Sequence, residues 1–458
     1  MDRRQFIKRQ VAGTAILAAS GLVHKASAQN LPSPDPQNPA VLNVDVLVVG
    51  GGSAGHVAAI QAGRMGAKTV LLERNSQLGG TTTTGGVNFP GLFHAWGKQV
   101  ISGIGWELVA KSVEIDGKEL PNFSKVPKSH PEHQVLINAH LYALLAEEAC
   151  LDAGVSLAYY QFPQNIVETE EGWLVDVVGQ GVQYQLRCRQ ILDCTGNASV
   201  VDMLGFERRW SDIRQPGTQM VMFKGFDYDV VRENAELIQE MYDEAFEKGT
   251  VKKGDTWSGK IVKTIFSARG GNNHIFGADS TNAATQTQTN LAGRKCAMRL
   301  LKFFKTIPGG ENATIDRMMN ETASRETFRI VGESTVTVND YTSGRIFDDA
   351  LSYSFYPIDL HDEHGVKPKP LAHGKVPTIP RGALIPKGSK NLIVAGRCLS
   401  SDRLANSAAR VQASCMGMGQ AAAITAALAA KMKTTPSSVP LKEIRKELKS
   451  HNAIVPVV

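Results

Sequence analysis

Asp45-Val46-Leu47-Val48-Val49 runs straight into Gly50-Gly51-Gly52-Ser53-Ala54-Gly55, then Val57-Ala58-Ala59-Ile60-Gln61-Ala62, then Thr69-Val70-Leu71-Leu72-Glu73. An apolar run, a glycine-rich turn, a helical stretch and a second apolar run closed by an acid read as one strand–turn–helix–strand unit that binds a dinucleotide. Gly50 allows the tight turn, Gly52 lets backbone amides approach a pyrophosphate, and Gly55 permits close packing of helix on strand. Ser53 and Ala54 belong to the same turn, where the helix N-terminus offers N–H groups and a positive dipole end to the phosphates. Glu73 lies where an acid accepts the hydroxyls of an adenosine ribose, and Arg74 follows it. A glycine-rich turn without nucleotide would leave Glu73 unexplained.

Upstream, Arg3-Arg4-Gln5-Phe6-Ile7-Lys8, an apolar stretch from Val11 to Val23 and Ala26-Ser27-Ala28 form a charged region, a short hydrophobic region and a small-residue cleavage site. This predicts a signal peptide over 1–28, too short for a stable membrane anchor. The arginine pair resembles a twin-arginine signal, although Asp2 stands where Ser or Thr is usual, and implies export of a folded, cofactor-loaded protein to the periplasm. Arg3, Arg4, Lys8, Arg9 and Lys25 against Asp2 give this segment a net +4 of the formal +6. The remainder carries no basic face for nucleic acid or a membrane surface. With 458 residues, 42% of them hydrophobic, the chain has material for two packed domains. Its cysteines, Cys150, Cys188, Cys194, Cys296, Cys398 and Cys415, show no metal-ligand spacing. Their neighbours predict buried free thiols, with Cys188 and Cys194 the one pair that adjacent strands would bring together.

Three further stretches narrow the nucleotide. Gly79-Gly80-Thr81-Thr82-Thr83-Thr84-Gly85-Gly86 follows the acid. The runs Val155–Tyr160, Trp173–Val178 and Tyr184–Arg187 predict a β-meander. Ile191-Leu192-Asp193-Cys194-Thr195-Gly196 then reads as a strand ending in an Asp-x-Thr-Gly turn, which in series with the first motif favours FAD over NAD. The glycine-threonine loop resembles the one that flavoproteins similar to glutathione reductase set against the isoalloxazine. No cysteine pair lies near it and no second GxGxxG unit occurs, which removes the disulfide reductases. The loop has no histidine, so the expected FAD is noncovalent.

Asn391-Leu392-Ile393-Val394-Ala395-Gly396-Arg397 reads as a buried strand and tight turn, and residues 410–430 as an Ala/Met/Gly-rich helix. With Ser324–Glu333, Tyr356-Pro357-Ile358-Asp359-Leu360-His361 and Ile379–Pro386, the order resembles bacterial FAD-dependent oxidoreductases related to the fumarate reductase flavoproteins. The resemblance runs from about Val44 to Lys431. It implies an α/β fold: a Rossmann-type FAD-binding domain with a β-meander insertion (41–205 and 344–434), a second α+β substrate domain (206–343) and a tail (435–458). It also implies that Gly396, Arg397, Met416 and Gly417 approach the flavin, joining Gly79, Gly80, Thr81, Thr82, Thr195 and Gly196. Asn406 stands where relatives tend to carry histidine, so any mechanism that uses that histidine does not carry over to this chain.

Oxidation through a flavin needs one base for the substrate proton. The resemblance places His361 near the flavin, so it is the candidate base, with Asp359 orienting it and Asp359 or Asp402 as alternatives. Among Arg325, Arg329, Arg345, Arg381, Arg397 and Arg410, Arg381 and Arg397 are the candidates to clamp substrate. Arg325 is expected to pair with Glu333 or Asp348. His94 and Trp96 are candidates for the pocket floor, and the turn Ala268–His274 for its rim. The expected activity is dehydrogenation of a polar small molecule (hydroxy acid, sugar derivative or amine), with an external electron acceptor. The alternatives are reduction of an activated C=C bond, which wants paired arginines and an external electron donor, and a non-catalytic flavin-stabilised binding protein.

Overall fold

Parallel strands carry the nucleotide unit. The computed structural model describes residues 41–458 apart from 128, 268, 269, 272 and 367. The expected signal peptide, the stretch before residue 41 and turn residues Ala268, Arg269 and Asn272 lie outside the described residues. β1 (Val41–Val49), α1 (Gly55–Arg64) and β2 (Thr69–Glu73) form the expected unit. β1 and β2 are parallel, and Val46 to Val49 are buried, as suits a central strand covered on both faces. α2 (Ala139–Asp152) leads to β3 (Ser156–Tyr159), which adds to the sheet beyond β2 in parallel.

The meander is β4 (Gln161–Thr169), β5 (Gly172–Gly179) and β6 (Val182–Asp193), antiparallel throughout. This corrects the reading of Val155–Tyr160 as its first strand; that run is the parallel edge strand β3. β4 had no apolar signature because it is mostly exposed and interrupted by Pro163 and a bulge. β6 belongs to both parts. Its residues Gln185–Asp193 pair with β1, Val182–Cys188 with β5, and Ile191–Asp193 with β7 (Leu392–Val394).

Between β6 and β7, the strands Val221–Lys224 and Thr314–Met318 pair antiparallel and pack with helices around a separate cluster that includes Phe226, Ile238, Tyr242 and Phe304. Two helices, Tyr228–Glu233 and Ala235–Glu247, follow one another here. Asn234 separates them, its side-chain amide donating to the Val230 carbonyl. A longer helix, α3 (Ala283–Phe304), packs with them. α4 (Gln412–Met432) is long and apolar enough to cross a membrane but is buried in this fold. It lies against α1, and a Cβ on Gly419 would come within 2.2 Å of the Ala54 carbonyl oxygen. All six cysteines are buried and free.

Candidate active site

The parallel strands end on one edge, so the Gly50 turn, Glu73, the Asp193–Gly196 turn and the Gly396–Arg397 turn meet around a cavity of about 1080 Å³. A Cβ on Gly50 would come within 2.7 Å of the Cys194 carbonyl oxygen, on Gly51 within 2.6 Å of Leu78, and on Gly55 within 1.8 Å of the Gly50 carbonyl oxygen. On Gly52 it would meet no protein atom within 4 Å. Three glycines are thus packing requirements, while Gly52 opens onto the cavity at the start of α1. That open cradle fits the pyrophosphate of FAD.

Glu73 closes the turn. One carboxylate oxygen accepts from Gly51 N–H at 2.6 Å, the other from Asn75 N–H at 2.8 Å. Asp193 does the same for the second turn, accepting from the Thr195 N–H and hydroxyl and from Val200 and Val201 N–H. Burial pushes both carboxyls up, and these donors oppose it. Under the first turn, His56 Nδ1 lies 2.8 Å from the Gly52 carbonyl and Nε2 3.0 Å from the Tyr142 hydroxyl. Burial lowers its pKa to about 4.

The glycine-threonine loop rests on the nucleotide turn, with Gly79 N–H donating to the Gly51 carbonyl. Gly80 and Thr81 line the cavity. Thr82 sits behind them, donating to Gln412 Oε1 at 2.6 Å and lying 3.3 Å from the Ser53 hydroxyl. The expectation for Met416 and Gly417 needs correction. Val411, Gln412 and Cys415 of the α4 entry line the cavity. Met416 packs on Gly105 and Gly417 faces Ser352 and Ile101, because the helical turn carries them to other faces.

Two candidate catalytic arginines have structural partners instead. Arg381 donates to the Val439 carbonyl at 2.7 Å and is absent from the cavity wall, so it tethers the C-terminal segment. Arg397 reaches the cavity, but its guanidinium donates to Gly196 O at 2.9 Å, Asn197 Oδ1 at 2.8 Å and Ser324 O at 3.3 Å. It braces the Asp-x-Thr-Gly turn against the middle segment, and Asn406 in turn donates to the Arg397 carbonyl. Asp402 caps the helix Arg403–Ala409. His94 stacks on Phe123 and Trp96 packs near Phe355 and His373; neither lines the cavity, whereas Phe89, Pro90 and Gly91 do.

Arg74 and Ser53 line the nucleotide side. The other group of lining residues is Trp257, Arg325, Tyr356, Asp359, His361 and Arg410. Arg325 pairs with neither Glu333 nor Asp348; its Nη1 donates to the Pro216 carbonyl at 2.6 Å. Burial, then the charge of Arg410, lowers its pKa to about 9. Arg410 donates to Gln215 Oε1 at 3.1 Å and the Asp359 carbonyl at 3.3 Å, and its buried Nε has no partner among the described residues. His361 is buried rather than a surface-loop residue. Its Nε2 lies 3.2 Å from Asp359 Oδ2 and its Nδ1 2.9 Å from His274 Nε2. Burial, then Arg325, lowers the His361 pKa to about 4, so the ring is neutral at pH 7. Burial would raise Asp359, but the bond from His361 and the charges of Arg410 and Arg325 outweigh it and hold the carboxyl below its usual range. His274 joins this group from the stretch expected at the pocket rim, of which Gly270 and Gly271 line the cavity, and Gln215 from a segment with no motif of its own.

A family profile described as FAD dependent oxidoreductase matches residues 45–448. The chain is 41% identical over 83 residues to nicotine dehydrogenase of Pseudomonas putida, a stretch that is 18% of this chain and 17% of that protein. It is 26% identical over 211 residues to thiamine thiazole synthase of Methanococcus vannielii, covering 44% of this chain and 75% of the other. Among solved structures, a geranylgeranyl bacteriochlorophyll reductase-like protein from Thermoplasma acidophilum aligns over 90% of this chain and 83% of its own, with 12% identity and a TM-score of 0.41.

Proposed function

Given that this chain belongs to the FAD-dependent oxidoreductase family, we propose that it dehydrogenates a small 2-hydroxy acid, with an external electron acceptor and FAD held noncovalently. One observation carries the reading: a carboxylate and a neutral histidine sit beside two arginines in the cavity that the nucleotide turns share. The Gly50–Gly55 turn and the start of α1 would hold the pyrophosphate, Glu73 the ribose, and Gly80, Thr81 and the entry of α4 the ring system. When bound, FAD supplies a two-electron acceptor for hydride.

The chain's own residues handle charge and proton. Arg325 and Arg410 attract a substrate carboxylate, and a cationic amine would be repelled by them. The Asp359–His361 pair takes the hydroxyl proton. Residues 206–343 act as the substrate domain over a nucleotide-binding body formed by 41–205 and 344–434. Export by the twin-arginine route to the periplasm completes the reading, on the strength of Arg3-Arg4 and the apolar stretch behind them.

The arginine pair equally favours a second reading, reduction of a C=C bond in an unsaturated acid. Both are tested by mixing holoprotein anaerobically with lactate, glycolate or malate and following the visible flavin band. Bleaching supports the dehydrogenase. Reoxidation of chemically reduced protein by fumarate, without bleaching by any hydroxy acid, would transfer the assignment to the reductase. Inertness to all of them would overturn both.

A further inference from the structure

Three side chains stand in line: His274 Nε2 is 2.9 Å from His361 Nδ1, and His361 Nε2 is 3.2 Å from Asp359 Oδ2. An ionised carboxylate only accepts, so His361 Nε2 carries the hydrogen and donates it to Asp359. Nδ1 of the neutral His361 is then an acceptor, and His274 must donate to it from Nε2. Both ring nitrogens of His361 are therefore engaged, which leaves the ring no lone pair for a substrate proton. Asp359 differs. His361 and, at 3.9 Å, Arg410 face its Oδ2, its backbone N–H donates to Ser407, and no hydrogen bond reaches Oδ1 among the described residues. Asp359 lines the cavity; His274 does not.

Building on the dehydrogenase reading, we propose that Asp359 is the proton acceptor, and that His274 is a positioning residue that locks His361 as its Nε2–H tautomer and so holds Asp359 in place with Oδ1 free. This exchanges the roles expected from the sequence. In the step, the substrate O–H breaks and Asp359 Oδ1 gains the proton. The electron pair of that bond becomes the second bond of the new carbonyl, while the C–H hydrogen would leave with two electrons, for which FAD, when bound, would supply the acceptor. A 2-oxo acid results. The lock joins two distant segments, because His274 precedes Ile275, which bridges to Gly217, and His361 opens the hairpin His361–Val366. Trp257 packs near both rings.

The tautomer is read without substrate, by nitrogen NMR of the flavin-loaded full chain labelled with ¹⁵N-histidine, with resonances assigned by His→Gln variants. At pH 7 His361 should show a protonated Nε2 and a bare Nδ1. His274→Phe should erase that preference, and His274→Gln, whose amide can still donate, should restore it. An Nδ1–H or doubly protonated His361 in wild type overturns the lock.

The kinetic arm uses the same three hydroxy acids. Asp359→Asn should keep its flavin and lose roughly 10²- to 10⁴-fold in anaerobic reduction rate, the size of a general-base contribution. The groups facing Asp359 are His361, Arg410, Arg325 and Tyr356, with Asp362 close to His274. The wild-type rate should therefore rise through a limb below the histidine range. His274→Phe should move that limb upward, since Asp359 loses a fixed donor, and His274→Gln should return it. A near-wild-type rate for Asp359→Asn, or a limb unmoved by His274→Phe, overturns the proposal. If none of the acids bleaches wild type, the hydroxy-acid reading falls, and the tautomer measurement alone upholds or overturns the positioning role.

Discussion

Two buried neutral histidines serve the two sides of the cavity, His56 from behind the nucleotide turn and His361 on the cavity wall. His56, beneath the nucleotide turn, bonds to a backbone carbonyl on one side and the Tyr142 hydroxyl on the other. His361 bonds to a carboxylate on one side and to a second histidine on the other. Burial lowers both to about the same pKa, about 4. Burial therefore does not separate a structural histidine from one at a working site; its partners do. The partners of His56 do not titrate near neutral pH and fix a loop. Those of His361 include Asp359, the proton acceptor of the proposed reaction.

Changes on the two sides should fail differently. The largest effect belongs to Gly52→Val. No protein atom lies within 4 Å of the added Cβ, so the chain folds, yet the cradle for the pyrophosphate is filled. The expected product is colourless protein with wild-type far-UV circular dichroism. A yellow, fully loaded variant would detach this turn from the cofactor. On the other side, Arg325→Met should retain flavin and raise the KM for a hydroxy acid roughly 10- to 200-fold, the worth of about 1.5–3 kcal/mol for a charged hydrogen bond. A KM unchanged in steady-state assays would remove Arg325 from substrate binding.

His56→Leu gives the smallest change. It strands the Tyr142 hydroxyl, while the Gly52 carbonyl keeps the backbone N–H of residue 56, and should cost about 1–3 kcal/mol in urea unfolding, without altering reduction per bound flavin. The pH dependence sharpens the contrast. The unfolded His56 titrates near 6.5 and the folded one near 4. Below pH 6.5 the unfolded chain takes up a proton that the fold refuses, so wild-type stability falls as pH drops through this window. His56→Leu should flatten that slope by one proton; an unchanged slope would mean that His56 titrates in the fold.

How much of this was legible follows from how far apart the cooperating residues lie. The Gly50 turn, Glu73 and the Asp193–Gly196 turn are each built within one local unit, and their residue types declare their task. β4 was invisible because an exposed edge strand with a proline needs no apolar alternation. Met416 and Gly417 were assigned from the right helix but the wrong part of its turn, which depends on how α4 rolls against α1. Arg381 and Arg397 carried the right charge, but which carbonyls they reach is a tertiary matter. His274 and His361 are 87 residues apart, and nothing near His274 announces a partner.

The close approach of Gly419 to Ala54 has a consequence in time. The nucleotide turn is synthesised well before the strand beside Asp193 and the helix that backs the turn. Until they arrive the early segment lacks both its sheet neighbour and its covering helix, and long-range closure of this kind is slow. A ribosome-bound fragment can therefore display the whole glycine motif without owning a flavin site. Occupancy by FAD then reports that the downstream segment has been made and has found the upstream one.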